Sequence, residues 1–285
     1  MIRQHHRIKT AAALSAIAAA SLVAGCGGSS SPGKGGGVNT VRAAYVSSRV
    51  AGYEIAIKVT GTAAGQAINV TGTGAFDEAP HAGRLTMNMN PPTLGGQNLQ
   101  IKAVILGKDL YVKLPASLAG KIPDGKPWLE LDLSEVGNGI GIRGLGSLAG
   151  NTGENPAQLV QVMRASTGGV QDLGQQTIEG FSTTGSRATI DLSNVVDTLP
   201  ASQRPSAASA IASIEKLTGL RYLPIEAWVD SSGHVRRIVL SETGRVEGQP
   251  FSENVQLDFV KYALEPVPAA PPADEVTNIM SLLGA

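Results

Sequence analysis

Histidines and paired carboxylates are the residues from which acid–base chemistry is most readily built. Beyond a leader that holds His5 and His6, the chain has two histidines, His81 and His234, each in a polar turn sequence (Ala79-Pro80-His81 and Ser232-Gly233-His234). Such surroundings predict exposed loop side chains. Asp77-Glu78 and Asp191 could meet other acids in space and work as a glycosidase pair, but they lie at the ends of predicted strands, where solvated carboxylates are ordinary. No Gly-x-Ser-x-Gly elbow and no His-x-x-x-His metal pair occurs. Gly139-Ile140-Gly141-Ile142-Arg143-Gly144 spells the dinucleotide fingerprint. The mechanism fails, because that loop has to open a helix whose N-terminus holds pyrophosphate, and here more glycines follow. Trp128 and Trp228 have the wide faces that bind sugars, yet each falls within a strand pattern where core packing accounts for it. Asn69-Val70-Thr71 spells a glycosylation sequon by spacing alone. The expectation is a non-enzymatic protein with no cofactor and no metal.

The one residue whose chemistry the sequence does specify is Cys26, the sole cysteine. It ends the string Leu22-Val23-Ala24-Gly25-Cys26, which resembles the bacterial lipobox. The residues before it have the layout of a secretory signal: a basic start (Arg3, Arg7, Lys9) and an apolar run from Ala11 to Ala24, too short to span a bilayer. Cleavage before Cys26 would make it a lipidated N-terminus, and several acyl chains on one residue anchor stably where a single chain does not. The expected address is the extracytoplasmic face of the cell membrane. A lone cysteine used in this way leaves none for a disulfide, a thiolate metal site or a nucleophile.

Composition fits a folded domain. The chain has 285 residues, is 16% charged and holds 35 Gly, yet 42% of it is hydrophobic, enough to build a core. Net charge is zero, and without the three basic leader residues it is about −3. With no Lys/Arg block to neutralise phosphates, nucleic acid is excluded as a partner.

Residues 27–37 are a Gly/Ser tether. Thr40 could cap a short helix carrying Val41, Tyr45 and Val46. From Tyr53 to Leu133 the pattern has period two: Tyr53, Ile55, Ile57 and Val59 alternate with polar residues, and Ile68 to Phe76, Leu85 to Met89, Leu99 to Ile105, Leu110 to Leu114 and Trp128 to Leu133 follow, punctuated by Gly, Pro or Asn. Six antiparallel strands with one apolar face are predicted. A Gly-rich stretch (137–153) precedes a helix begun by Asn155-Pro156. Strands are predicted at Gln176–Phe181, Arg187–Leu192, Tyr222–Val229, Val235–Ser241 and Val255–Leu264. A helix near Ser206 should carry Ile211, Ile214 and Leu217 and stop at Gly219. Pro266 to Pro272 is a stiff connector, and Asp274 to Leu283 a small helix. The fold class is α+β, an antiparallel sheet of about eleven strands with a few short helices.

The strands offer large apolar side chains, whereas the covering segments are built from small ones, such as Ser206-Ala207-Ala208-Ser209-Ala210. Protein interiors are close-packed. Small covers therefore leave an apolar cavity, which favours an apolar guest at about 0.8 kcal/mol per buried methylene, or else they let helices pack closely on a flatter sheet. Pattern does not separate the two.

Several strings occur together and in order: Cys26 in its lipobox, Leu110-Tyr111-Val112-Lys113-Leu114, Lys126-Pro127-Trp128-Leu129-Glu130-Leu131-Asp132-Leu133, Asn155-Pro156-Ala157-Gln158-Leu159, Ile178-Glu179-Gly180 leading to Arg187-Ala188-Thr189-Ile190-Asp191-Leu192, and Ala227-Trp228-Val229-Asp230-Ser231-Ser232-Gly233. In these the chain resembles the actinobacterial LppX/LprG-type envelope lipoproteins with a LolA/LolB-like fold, over about Val41 to Leu264. It departs from them at Gly185-Ser186-Arg187, where relatives often carry an aromatic. The resemblance implies a half-barrel wrapped around helices, a cavity for acyl chains of lipids or lipoglycans, transport or sequestration at the envelope with an exporter as a possible partner, and no catalytic residue. It implies a layout of signal peptide (1–25), lipidated tether (26–39), lipid-binding domain (40–265) and connector with C-terminal helix (266–285). The expected cavity lining is Ile55, Ile57, Val59, Leu85, Met87, Ile101 and Ile105 from strands, with Leu159, Val162, Met163, Ile211 and Ile214 from helices, provided that no bulge turns a strand over. The alternatives are a ligand-free interaction or sensor module on the outer face of the cytoplasmic membrane, and an envelope hydrolase if an acid stands beside His81 or His234.

Overall fold

The computed structural model describes residues 51–279 apart from 64, 78–80, 91–97, 120–124, 133–162, 164–165, 167, 199–200, 202–203 and 247, with the side chains of 117, 118, 206, 210 and 214 also outside the description. The leader, Cys26, the tether, the Thr40 helix, the 137–153 stretch and the Asn155 helix with Leu159 and Val162 lie outside the described residues, as does the side chain of Ile214.

The first half is the expected meander: β1 (Gly52–Ala63), β2 (Gln66–Asp77), β3 (Ala82–Met89), β4 (Leu99–Leu106), β5 (Asp109–Lys113), a single turn α1 (Ala116–Ala119) and β6 (Trp128–Asp132). The second half holds β7 (Gln171–Ile178), β8 (Phe181–Asp191), α2 (Leu192–Thr198), α3 (Arg204–Thr218), β9 (Tyr222–Asp230), β10 (Val235–Val246) and β11 (Gln249–Lys261). A 3-10 turn (Ala273–Glu275) leads into β12 (Val276–Asn278). All twelve strands form one sheet in the order β12-β6-β5-β4-β3-β2-β1-β11-β10-β9-β8-β7. The first and last long strands of the domain, β1 and β11, are neighbours, so the two halves share one hydrogen-bonded surface.

Local sequence explains most of these elements. Tyr53, Ile55, Ile57 and Val59 are buried while Lys58 between them is exposed, the alternation of a sheet covered on one side. Helix α3 begins with Arg204-Pro205 and closes where the Gly219 N–H donates to the Glu215 carbonyl (2.8 Å) with Gly219 at φ +71, a left-handed stop that only glycine takes at no steric cost.

Four expectations need correction. Gln176–Phe181 is no single strand but the apex of the β7–β8 hairpin, turned at Glu179 (φ 49) and Gly180 (φ 82), because two-residue hairpin loops need positive φ to match the strand twist. Leu192–Thr198 is a helix that the pattern missed, started by Asp191 Oδ1, which accepts from the Ser193 N–H (3.0 Å) and hydroxyl (2.6 Å). The C-terminal helix expected from Asp274 gives way to β12, where β-branched Val276 and Thr277 pair in parallel with Trp128 and Leu129 on the otherwise open edge of β6; residues beyond 279 lie outside the described ones. Leu217, expected on the buried side of α3, is 62% exposed, because the helix packs through Ala207 and Ile211 and its last turn approaches Gly244 of β10 with the Thr218 carbonyl instead.

Candidate functional site

Register decides which side chains share a face. Across β1–β4, Ile55 pairs with Gly74, Ile57 with Gly72 and Val59 with Val70; Gly74 then pairs with Leu85, Gly72 with Met87, and beyond them Ala103 and Ile101. Ile105 pairs with Gly83 and Leu110. The seven strand residues expected to line a cavity therefore project from one face, and the bulge in β1 at Glu54/Ile55 precedes them. Met163, wholly buried, and Ile211 join Ile55, Ile57, Val59 and Met87 in one apolar cluster. Leu85 packs against that cluster from its edge.

The face has two unequal parts. Under β1 and β8–β11, Ile190, Ile225, Ile238, Leu240, Val255, Leu257 and Phe259 are each at most 2% exposed, and helices α2 and α3 lie against β8 and β10. Along β3–β6, Met87, Leu99 and Ala103 are buried on the same face, while Leu85, Met89, Ile101, Ile105, Leu110 and Leu131 beside them stay only half-buried. The opposite face is polar and laced with ion pairs: Arg187–Glu226, Arg237–Asp258, Lys261–Glu54 and Lys108–Asp132. Trp228 lies on this outer side over Gly185, where an added Cβ would come within 2.5 Å of the indole. Gly185 thus makes room for this ring, which is buried on the outer side of the sheet and not in the apolar core expected for it. Trp128 takes the Lys113 ammonium 5.3 Å from its ring centroid.

One feature of the inner face was missed. Glu242 on β10 stands directly opposite Glu253 on β11, in line with Leu240·Val255 and Ile238·Leu257. Glu253 is 5% exposed and its Oε1 has no hydrogen-bond partner among the described residues. Burial, with the Glu242 charge second, pushes its carboxyl up to about 7, and burial also raises Glu242. The signal was present in the sequence: each glutamate is two residues from a core residue, on the same strand parity. Next along the strands, Gly244 pairs with Phe251. These two residues belong to a groove of about 690 Å³ between the end of α3 (Lys216, Thr218) and the β10–β11 hairpin (Arg245, Pro250).

Among the groups considered for catalysis, Glu78 lies outside the described residues, and Asp191, Asp77 and His234 have structural partners. Asp191 starts α2, and the bonds from Ser193 first, with Arg221 beside it, hold its carboxyl below the usual range. Asp77 Oδ1 accepts the Glu265 N–H (3.1 Å). His81 is exposed, as expected. His234 is not the exposed loop side chain predicted: its ring stacks on Tyr262 at 4.9 Å, and Nδ1 lies 3.7 Å from Asp230 Oδ2. That places an acid beside a histidine, but Asp230 already accepts from the Ser232 and His234 N–H groups and from Arg236 Nε (2.7 Å). Among the described residues no group of three or more His, Cys, Asp or Glu could hold a metal, and no helix is long and apolar enough to cross a membrane.

No protein-family model matches the chain, and no curated protein sequence does. Among solved structures it is similar to the lipoprotein LppX of Mycobacterium tuberculosis, at 17% identity and TM-score 0.43, over 82% of this chain and 96% of that one. It is also similar to LprF of Mycobacterium bovis (14%, TM-score 0.41, the same coverage) and to MucB (11%, TM-score 0.32, over 87% of this chain and 64% of that one). The functional reading rests on this chain's own residues.

Proposed function

We propose that the protein is a non-enzymatic envelope lipoprotein, anchored through Cys26, that holds the acyl chains of lipids or lipoglycans against the inner face of its sheet and carries or sequesters them. The observation that supports this best is the half-buried strip along β3–β6. Leu85, Ile101, Ile105 and Leu131 belong to a face that is fully buried elsewhere, and removing such a strip from water favours an apolar guest by roughly 25 cal/mol per Å². Helices α2 and α3 sit over β8 and β10. A binding role also suits Asp77, Asp191 and His234, which are engaged in capping and packing.

Native mass spectrometry of the chain without its first 26 residues, isolated from a lipid-rich host, should show co-purified acyl species, and repeated recovery of bare protein would overturn the reading. Ile101→Asp, on the half-buried strip, should cut lipid recovery by about tenfold, since a carboxylate among methylenes costs well over ~1.4 kcal/mol. Gln100→Asp, one residue away on the outer face, should leave recovery unchanged.

A further inference from the structure

Among the described residues six large hydrophobic side chains are exposed: Phe181, Leu217, Tyr222, Val260, Leu264 and Val267. Their placement is uneven. Leu217 and Tyr222 lie toward the end of the sheet where α3 stops and β9 starts. The other four gather at the opposite end, where β1 starts, β11 finishes and the β7–β8 and β9–β10 turns lie. Tyr262 stands at the centre of this end. The Arg236 guanidinium lies 3.4 Å from the Phe181 ring centroid and 5.3 Å from that of Tyr262, and Val260 and Leu264 flank Tyr262 along the chain. Val267 follows Glu265, which is held at the same end by Asp77 and Arg84. Leu264 is 67% exposed and Val267 54%, the highest of the four.

The path of the chain says what covers this end. The residues that follow Cys26 join the sheet at the start of β1, where the Ala263 carbonyl is so near Gly52 that a Cβ there would come within 2.7 Å of it. The anchored chain thus enters beside Leu264. Resting on the anchor at Cys26, we infer that this end of the sheet docks on the bilayer that holds the anchor, with Leu264 and Val267 entering deepest and Phe181 and Val260 beside them. Charge assigns the adhesion to apolar contact: Arg84 is paired with Glu265, Lys108 with Asp132, and Lys261 with Glu54 and Glu265, so these cations are already committed within the protein. Side chains on separate turns at the end of a sheet need no shape-matched partner to leave water in a bilayer. The same docking brings the half-buried strip to the lipid, because Ile105, Leu110 and Leu131 pair with one another beside the Gly107-Lys108 turn at this end.

The test uses the acylated full chain reconstituted into phosphatidylcholine vesicles, with a nitroxide label on Leu264→Cys, Val267→Cys or, as the far-end control, Leu217→Cys. Cys26 is the sole native cysteine, and its acylation leaves the introduced thiol to react. The depth of each label is read from its relaxation by oxygen and by a water-soluble nickel complex. Labels at 264 and 267 should sit roughly 5–10 Å into the headgroup–acyl boundary, at high salt as at low, while the label at 217 stays in water. Val267→Asp, a change at an exposed side chain, should lift the label at 264 toward water. Labels at 264 and 267 as aqueous as the one at 217 overturn the inference while the anchor stands. Shielding of 264 only in vesicles that also carry other envelope proteins overturns it too, and gives this end to a protein partner; a depth that high salt abolishes overturns apolar docking. A chain that fails to float with the vesicles overturns the anchor and the inference together.

Discussion

Asp230 organises one corner of the molecule with both of its oxygens. Oδ1 accepts from the Ser232 and His234 N–H groups and so shapes the β9–β10 turn, while Oδ2 takes the buried Arg236, whose guanidinium lies 3.4 Å from the Phe181 ring centroid. Burial works to raise this carboxyl and is outweighed by the Arg236 bond and the backbone donors, which leave it below its ordinary value. Its contribution to stability is therefore present above the unfolded-state value and is lost as pH falls through the folded one. Asp230→Asn keeps an acceptor for the turn but leaves a buried guanidinium without its counter-charge, and should cost ~3 kcal/mol in urea unfolding at pH 7. Glu253 has the opposite sign. Raised from 4.5 to about 7, it keeps a proton in the folded protein that the unfolded chain gives up, so stability falls as pH rises across that window. Glu253→Gln should lift Tm by ~4 °C at pH 8 and change it little at pH 4.5, as read by scanning calorimetry.

Among the elements, strands were more legible than the segments between them. Period two in Tyr53-Glu54-Ile55-Ala56-Ile57-Lys58-Val59 is a local property and survives folding unchanged, whereas β12 exists only because β6 offers an unpaired edge to Val276 and Thr277. The β8–β9 pair shows how one residue fits two elements together: Gly185 lies under Trp228, and an added Cβ would meet three ring carbons within 2.7 Å. Gly185→Ala should destabilise the protein by about 1–3 kcal/mol, with a shift in tryptophan emission. Helix α2 escaped detection because Leu192-Ser193-Asn194-Val195-Val196 has weak helical propensity; the Asp191 cap and the burial of Val195 in the core hold it.

At the scale of the whole molecule, the segment 262–275 runs from β11, in the middle of the sheet, to β12 at its edge. Seven strand spacings are about 34 Å, and a stiff Pro-rich path at about 3.1 Å per residue covers that distance. Glu265 pins the crossing, with its N–H on Asp77 and its carboxylate taking Arg84 and Lys261 (3.1 and 3.0 Å); Lys126 Nζ then donates to the Val276 carbonyl (2.9 Å). Removal of residues 266–285 should raise amide exchange in β5 and β6 by about tenfold or more, while β9–β11 stay protected; equal protection in both would show that the crossing contributes nothing to that edge. The sequence by itself determined the strand alternation, the apolar face and the helix stop at Gly219, because these follow from side-chain period and backbone sterics within a few residues. Only the tertiary structure decided that β1 meets β11, that Ile238, Leu257 and Phe259 are sealed while Leu85, Ile105 and Leu131 stay half-buried, and that Glu242 faces Glu253. Pairing partners far apart in the chain are selected by the packing of the whole sheet, and no local pattern encodes them.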